Sequence, residues 1–234
     1  MSSLRREKVC VIIPAYNEAP RIGTTIAALC ARSEIDEIIV VDDGSSDGTA
    51  QLARSAGATT VLTVKNGGKG AALTAAYAAS KDYGSIFLLL DADLGASAGE
   101  AIKLLPLIQS GAADMTVGLL PPDPAFAESG QSGGRGFVVR LARQRILRCT
   151  GETFAQPLSG QRALRREVLE ALGGTFASGF GVEVDLTIRT LQAGFRIREV
   201  KTQFRHHVTG GDWASICHRA RQFRDVARVV LSHR

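Results

Sequence analysis

Val9-Cys10-Val11-Ile12-Ile13-Pro14-Ala15-Tyr16-Asn17-Glu18 begins as an unbroken apolar run and ends on polar residues. A short run without alternation, closed by Pro and Asn, suits a strand covered on both faces rather than one with a wetted side. The same grammar returns at Glu37–Val41, Thr60–Thr63, Ile86–Leu90 and Met115–Val117. Between these runs the apolar residues fall at helical spacing: Ile22, Ile26 and Leu29; Thr49 to Ala56; Lys69 to Ser80; Ile102, Leu105 and Ile108. Each helical stretch follows a turn rich in Gly, Asp, Asn or Ser. Strands that alternate with helices in this way predict βαβ units and an α/β fold, a mostly parallel central sheet flanked by helices.

The rest of the chain is consistent with one such domain over residues 1–234. With 45% hydrophobic and 22% charged residues the composition is that of an ordinary globule, which excludes disordered and collagen-like classes. No apolar run approaches the roughly 20 residues of a membrane span, and Met1 to Lys8 leads into no signal-peptide core, so a cytoplasmic protein is expected. Cys10, Cys30, Cys149 and Cys217 form no C-x-x-C pair and read as small buried fillers. Residues 119–134, LLPPDPAFAESGQSGG, make a long loop suited to a lid. An Arg-rich helix from about Arg135 to Cys149, a strand near Leu158–Ala163, helices near Arg166–Leu172 and Glu183–Ala193 and a strand near Arg198–Thr202 are expected next. An amphipathic helix capped by Asp212 closes the chain.

The net charge of +5 divides unevenly. Residues 1–130 carry 10 Lys+Arg against 15 Asp+Glu, whereas residues 131–234 carry 18 against 8. The acidic half suits a divalent cation and the basic half suits phosphates or an anionic surface.

Chemistry concentrates where the strands end. Asp91-Ala92-Asp93 follows the buried Phe87-Leu88-Leu89-Leu90, at the carboxyl edge where open α/β sheets bind ligands. Two hard oxygen donors there suit Mg²⁺ or Mn²⁺ on a diphosphate. Taken alone, the pair is equally well read as a helix cap and a solvated acid. Asp42-Asp43-Gly44-Ser45-Ser46-Asp47-Gly48-Thr49 ends the second strand. Asp47 there reads as a turn or cap residue, while Asp42 and Asp43 are placed to accept a nucleobase N–H. Pro14-Ala15-Tyr16-Asn17-Glu18 brings a third strand end to the same edge. Asn66-Gly67-Gly68-Lys69-Gly70 opens a helix with free N–H groups and a cation, suited to an anion.

These motifs, with Pro157-Leu158-Ser159-Gly160-Gln161-Arg162-Ala163 and Gly179-Phe180-Gly181-Val182-Glu183, resemble in order those of the family 2 glycosyltransferases of GT-A fold. Dolichol-phosphate mannose synthases and glucosyl-phosphoglycerate synthases are the groups they look like most. The resemblance implies displacement at the anomeric carbon of a nucleotide sugar, UDP-glucose first and GDP-mannose second, with residues 1–118 holding donor and metal and residues 135–234 the acceptor. It assigns Pro14, Ala15, Tyr16 and Glu18 to the base and ribose pocket, Asp43 to the base, Lys69 to the phosphates, and Asp91 with Ala92 to the ribose or metal side. Asp93 becomes a metal ligand of the DXD motif, Glu183 a base or a contact to the sugar's hydroxyls. Glu183 reads equally as a dipole partner of its helix. Of His206 and His207, the similar Val-Arg-x-His context points to His207 as the further metal ligand.

The acceptor is expected to be a phosphorylated small molecule or a polyprenyl phosphate, held by Arg135, Ser159, Gly160 and Arg162. The C-terminal helix either packs on the core or makes a peripheral contact with the inner face of a membrane, and a homodimer is a further expectation. A nucleotidyltransferase would need a Gly/Arg-rich loop where Ala15-Tyr16-Asn17-Glu18 stands. A nucleic-acid or membrane binder without catalysis leaves the acidic strand ends unexplained, so no nucleic-acid partner is expected.

Overall fold

A computed structural model describes residues 6–121, 134–177 and 181–206. Seven strands make one sheet: β1 (Val9–Ala15), β2 (Glu37–Asp42), β3 (Thr60–Thr63), β4 (Ile86–Leu89), β5 (Met115–Leu119), β6 (Arg162–Arg165) and β7 (Ile197–Lys201). Their order is β3-β2-β1-β4-β6-β5-β7. All pairings are parallel except those of β6, which runs antiparallel to both β4 and β5. Strands from both halves of the chain therefore join one sheet.

Period-two alternation decides which side each strand residue faces. Cys10, Ile12, Ile39, Val41, Phe87 and Leu89 point into one core, while Val9, Val11, Ile13, Ile38, Val40, Ile86 and Leu88 point into the other. The first core is covered by α3 (Lys69–Ser80), α5 (Gly134–Thr150), α6 (Arg166–Ala171) and α7 (Val182–Gln192); Tyr77 of α3 meets Phe87 edge-on with ring centroids 5.3 Å apart. The second is covered by α1 (Ala19–Cys30), α2 (Thr49–Ser55), a 3₁₀ segment (Gly95–Leu104) and α4 (Leu105–Gln109). Two apolar faces explain why the sequence shows unbroken apolar runs.

The differences from expectation have local causes. The helix expected around Ile102 is 3₁₀ over Gly95–Leu104 and α-helical only from Leu105, next to Pro106, which has no N–H to donate into the preceding turn. The strand expected near Leu158–Ala163 starts at Arg162, and Ser159 and Gln161 just before it turn their side chains to the site below. Cys10 is buried, and burial pushes its thiol up to about 12. Cys30, at the end of α1, is exposed and not a filler. Among the described residues no helix is long and apolar enough to cross a membrane. The lid expected at residues 119–134 falls mostly, and the C-terminal helix wholly, outside the described residues.

Candidate active site

The carboxyl ends of β1, β2 and β4 share one rim, and hydrogen bonds from side chains weld their loops together. Asn17, at φ 54°, donates its N–H to Ser45 Oγ at 2.9 Å and accepts Ser46 N–H on Oδ1 at 3.0 Å. Asp47 accepts from Ala19 N–H and Thr49 N–H, at 3.0 and 3.1 Å, and Asp42 accepts from Ser45 N–H at 3.0 Å. Much of the acidic run after β2 thus builds the rim itself.

On this frame Pro14 is half-buried, Ala15 is buried and Tyr16 stands out at the lip, 52% exposed. Glu18 pairs with Arg21 at 2.7 Å; its burial raises the carboxyl above its ordinary value against that pull. Asp43 is buried, and its two oxygens accept the N–H groups of Gly67 and Gly68 at 2.8 Å each. The carboxylate expected at a base therefore also anchors the turn that starts α3.

Lys69, the first residue of α3, reaches across the rim. Its Nζ donates to Asp91 Oδ1 at 2.7 Å and to Glu183 Oε1 at 2.8 Å. Burial works against the Lys69 charge, but the two carboxylates outweigh it and hold the ammonium well above its ordinary value. Burial likewise opposes ionisation of Asp91, and is outweighed by the charges of Lys69 and His206 and the hydrogen bonds from Lys69 and Gln161, which keep it below the usual carboxylate range. Gly160 leaves room for this pair: a Cβ there would lie 2.7 Å from both Asp91 Oδ2 and Lys69 Nζ and would push one of them aside.

Asp93 completes the rim. Its Oδ1 lies 3.0 Å from His206 Nδ1, and His206 Nε2 lies 4.0 Å from Asp91 Oδ2. One ligand atom from each of Asp91, Asp93 and His206 falls within 4.8 Å of the others. Burial would depress the imidazole, but the Asp93 hydrogen bond and the two carboxylate charges raise it. Ala92 is buried between the acids, and its carbonyl accepts from Thr25 Oγ at 2.8 Å, fixing the turn to α1. Two carboxylates and an imidazole form a donor set that suits Mg²⁺ or Mn²⁺.

Other expected residues are placed elsewhere. Arg162 was expected on an acceptor, but it is 1% exposed and turned inward. Its Nε donates to Ser159 O at 3.0 Å and its Nη1 to Thr187 Oγ1 at 2.8 Å, tying β6 to α7. Burial drives its guanidinium down to about 10 despite the charges of Glu183 and Glu199. Ser159 is also buried, with its hydroxyl 2.7 Å from Gly118 O. Arg143, Arg165, Arg166 and Arg189 all donate to main-chain carbonyls, so part of the basic excess is tertiary anchoring rather than a free phosphate-binding face. Arg135 lies in the first turn of α5, with its side chain outside the described residues, as is His207 entirely. The sequence reading overlooked Gln161, whose Nε2 donates to Asp91 Oδ2 at 2.7 Å. Its signal was a long polar residue at the mouth of a buried strand.

Residues 10–173 match the pattern of Glycosyl transferase family 2. The chain belongs to that family. Curated relatives include a glycosyltransferase AglJ of Haloferax volcanii, 31% identical over 88% of this chain, of which the chain spans 66%. A polyprenol monophosphomannose synthase of Mycolicibacterium smegmatis is 30% identical over 87% of this chain and 80% of its own length. Among solved structures, glucosyl-3-phosphoglycerate synthase of Mycobacterium tuberculosis, in complex with Mn²⁺, UDP-glucose and phosphoglyceric acid, superposes with a TM-score of 0.75 at 28% identity, covering 97% of this chain and 79% of that one. That structure shares the fold over nearly the whole of this chain, and the GT-A architecture expected from the motifs is the one observed.

Proposed function

We propose that this chain transfers a hexose from a nucleoside diphosphate sugar, UDP-glucose in the first instance, to a phosphorylated acceptor. The observation that carries the reading is the joining of two clusters through Asp91: Asp91, Asp93 and His206 on one side, Lys69 and Glu183 on the other. Asp93 and His206, with Asp91 beside them, would hold Mg²⁺ or Mn²⁺, which when bound supplies charge neutralisation for the departing diphosphate. Tyr16 and Pro14 border the base and ribose side, with Ala15 and Glu18 shaping it, and Asp43 holds the Gly67–Gly68 turn so that Lys69 faces the phosphates. Arg135 is retained as an acceptor contact; Arg162 is not.

Glu183 informs the acceptor. Its Oε1 already accepts from Lys69 Nζ at 2.8 Å, so that oxygen is engaged inside the rim and not free to take a proton from an acceptor hydroxyl. A nucleophile that arrives already anionic, a phosphate oxygen, needs no deprotonation, whereas an alcohol does. The similarity to the polyprenol monophosphomannose synthase favours a second reading of the same kind, with GDP-mannose as donor and a polyprenyl phosphate as acceptor.

Calorimetric titration of UDP, GDP, UDP-glucose and GDP-mannose, each with and without Mn²⁺, tests the donor. Metal-dependent UDP binding tighter than GDP supports the first reading, and the reverse order installs the second. No metal-dependent binding of any of them overturns both.

A further inference from the structure

We propose that Gln161 is a positioning residue which sets the Asp91 carboxylate for the cation site, an inference that rests on the cation reading above. Gln161 is 0% exposed, so both ends of its amide need partners. An ionised carboxylate can only accept, so the amide nitrogen has to face Asp91, where it donates to Oδ2 at 2.7 Å. The amide oxygen then faces Ser159, whose Oγ lies 3.1 Å away and 2.7 Å from Gly118 O. Gly118 N–H closes the circuit by donating to the main-chain carbonyl of Gln161 at 2.9 Å. Gln161 is thus held to β5 directly through its main chain and, by way of Ser159, through its side chain.

The consequence falls on Asp91. Lys69 holds Oδ1 and Gln161 holds Oδ2, so the plane of the carboxylate is fixed by one charged and one neutral donor from opposite sides. Without the amide the carboxylate is free to turn toward the ammonium and offer it both oxygens. Oδ2 would then leave its place 4.0 Å from His206 Nε2. Gly118 serves the other side of the same cluster, because its bare Cα lets the Phe204 ring approach; a Cβ there would lie 3.0 Å from Phe204 Cε2. Phe204 is two residues before His206. One position of β5 thereby registers both Asp91 and His206, a degree of preorganisation that simple burial of a polar side chain does not require.

The test uses Mn²⁺ alone, titrated into the whole chain and followed by the electron paramagnetic resonance of free Mn²⁺ well below the melting temperature. Gln161→Met keeps the volume and removes the amide, and Ser159→Ala leaves the amide but loosens it. Asp93→Ala serves as the control for the cation reading. The dissociation constant for Mn²⁺ is expected to rise about 10- to 100-fold in Gln161→Met, and in the same direction but less in Ser159→Ala, with Asp93→Ala abolishing binding. Wild-type affinity in Gln161→Met beside a dead Asp93→Ala overturns the inference and leaves the cation site standing. Should Gln161→Met not fold, wild-type affinity in Ser159→Ala overturns it equally. Retained Mn²⁺ binding in Asp93→Ala sinks the cation reading and the inference with it.

Discussion

Replacing Lys69 by methionine removes a cation from between two carboxylates while nearly preserving its volume. The Lys69, Asp91 and Glu183 side chains are 30%, 26% and 11% exposed, so the network is sheltered but not sealed. Breaking a fully buried pair costs about 3–5 kcal/mol, and discounting for this exposure leaves about 2–3 kcal/mol. For a chain of this size that is a fall in melting temperature of about 4–12 °C. The pH dependence is the sharper part. In the wild type the depressed Asp91 contributes stability that is present above its unfolded value of about 3.9 and is lost as pH falls through the still lower folded value. Its contribution is therefore constant through the neutral and mildly acidic range. In Lys69→Met burial acts on Asp91 with its strongest opponent gone, the folded value rises, and protonation on acidification relieves the penalty. The stability deficit of the variant should shrink by about 1 kcal/mol between about pH 7.5 and about pH 5. Urea unfolding at both pH values measures it. His206 is raised against the opposing charge of Lys69, so losing Lys69 raises it further, and its added stability at low pH shrinks the deficit in the same direction. Parallel curves, or a deficit under about 0.5 kcal/mol, would refute the argument that Lys69 is an internal counter-ion.

Gly70→Ala and Gly23→Ala should move stability in opposite directions: a Cβ at Gly70 would lie 1.8 Å from the Ala177 carbonyl oxygen, whereas nothing lies within 4 Å at Gly23 inside α1. Thermal melts should show Gly70→Ala destabilised by about 2 kcal/mol or more and Gly23→Ala stabilised by up to about 1 kcal/mol; two changes of the same sign would count against this packing. Arg162→Met should lose about 1–3 kcal/mol through stranded acceptors yet leave the acceptor KM of the folded enzyme near wild type, and a large rise in KM at unchanged stability would return Arg162 to the acceptor. Glu183→Gln should be mild with a phosphate nucleophile and severe with a hydroxyl acceptor; steady-state kinetics with each acceptor class decides, and severity with both would make Glu183 a contact to the transferred sugar.

The parts of the fold that were legible are those in which one physical requirement dominates. Ile12, Ile39 and Phe87 face one core while their neighbours in sequence face the other, so β1, β2 and β4 had to be apolar throughout, and that is what the runs display. Nothing comparable marks β6. It enters antiparallel between β4 and β5, and its preceding residues Ser159 and Gln161 spend their polar groups on β5 and Asp91, so periodicity placed the strand too early. The same blindness explains Arg162: an arginine is a surface residue by default, and only the sheet shows that it lies beneath the rim with Thr187 and main-chain carbonyls as partners. His206 and His207 illustrate the finest grain. The motif match selects His207, which lies outside the described residues, whereas the 3.0 Å between His206 Nδ1 and Asp93 Oδ1 is a three-dimensional fact that no spacing displays. The acidic strand ends were legible as a set, but not the division of labour inside it. Asp42 and Asp47 shape loops, Asp43 holds the start of α3, and Asp91 sits where Lys69 and Gln161 fix it, leaving Asp93 and His206 as the groups least committed to the frame. Residues that build a rim and residues that act from it carry the same carboxylates, and they separate only when each oxygen's partner is known.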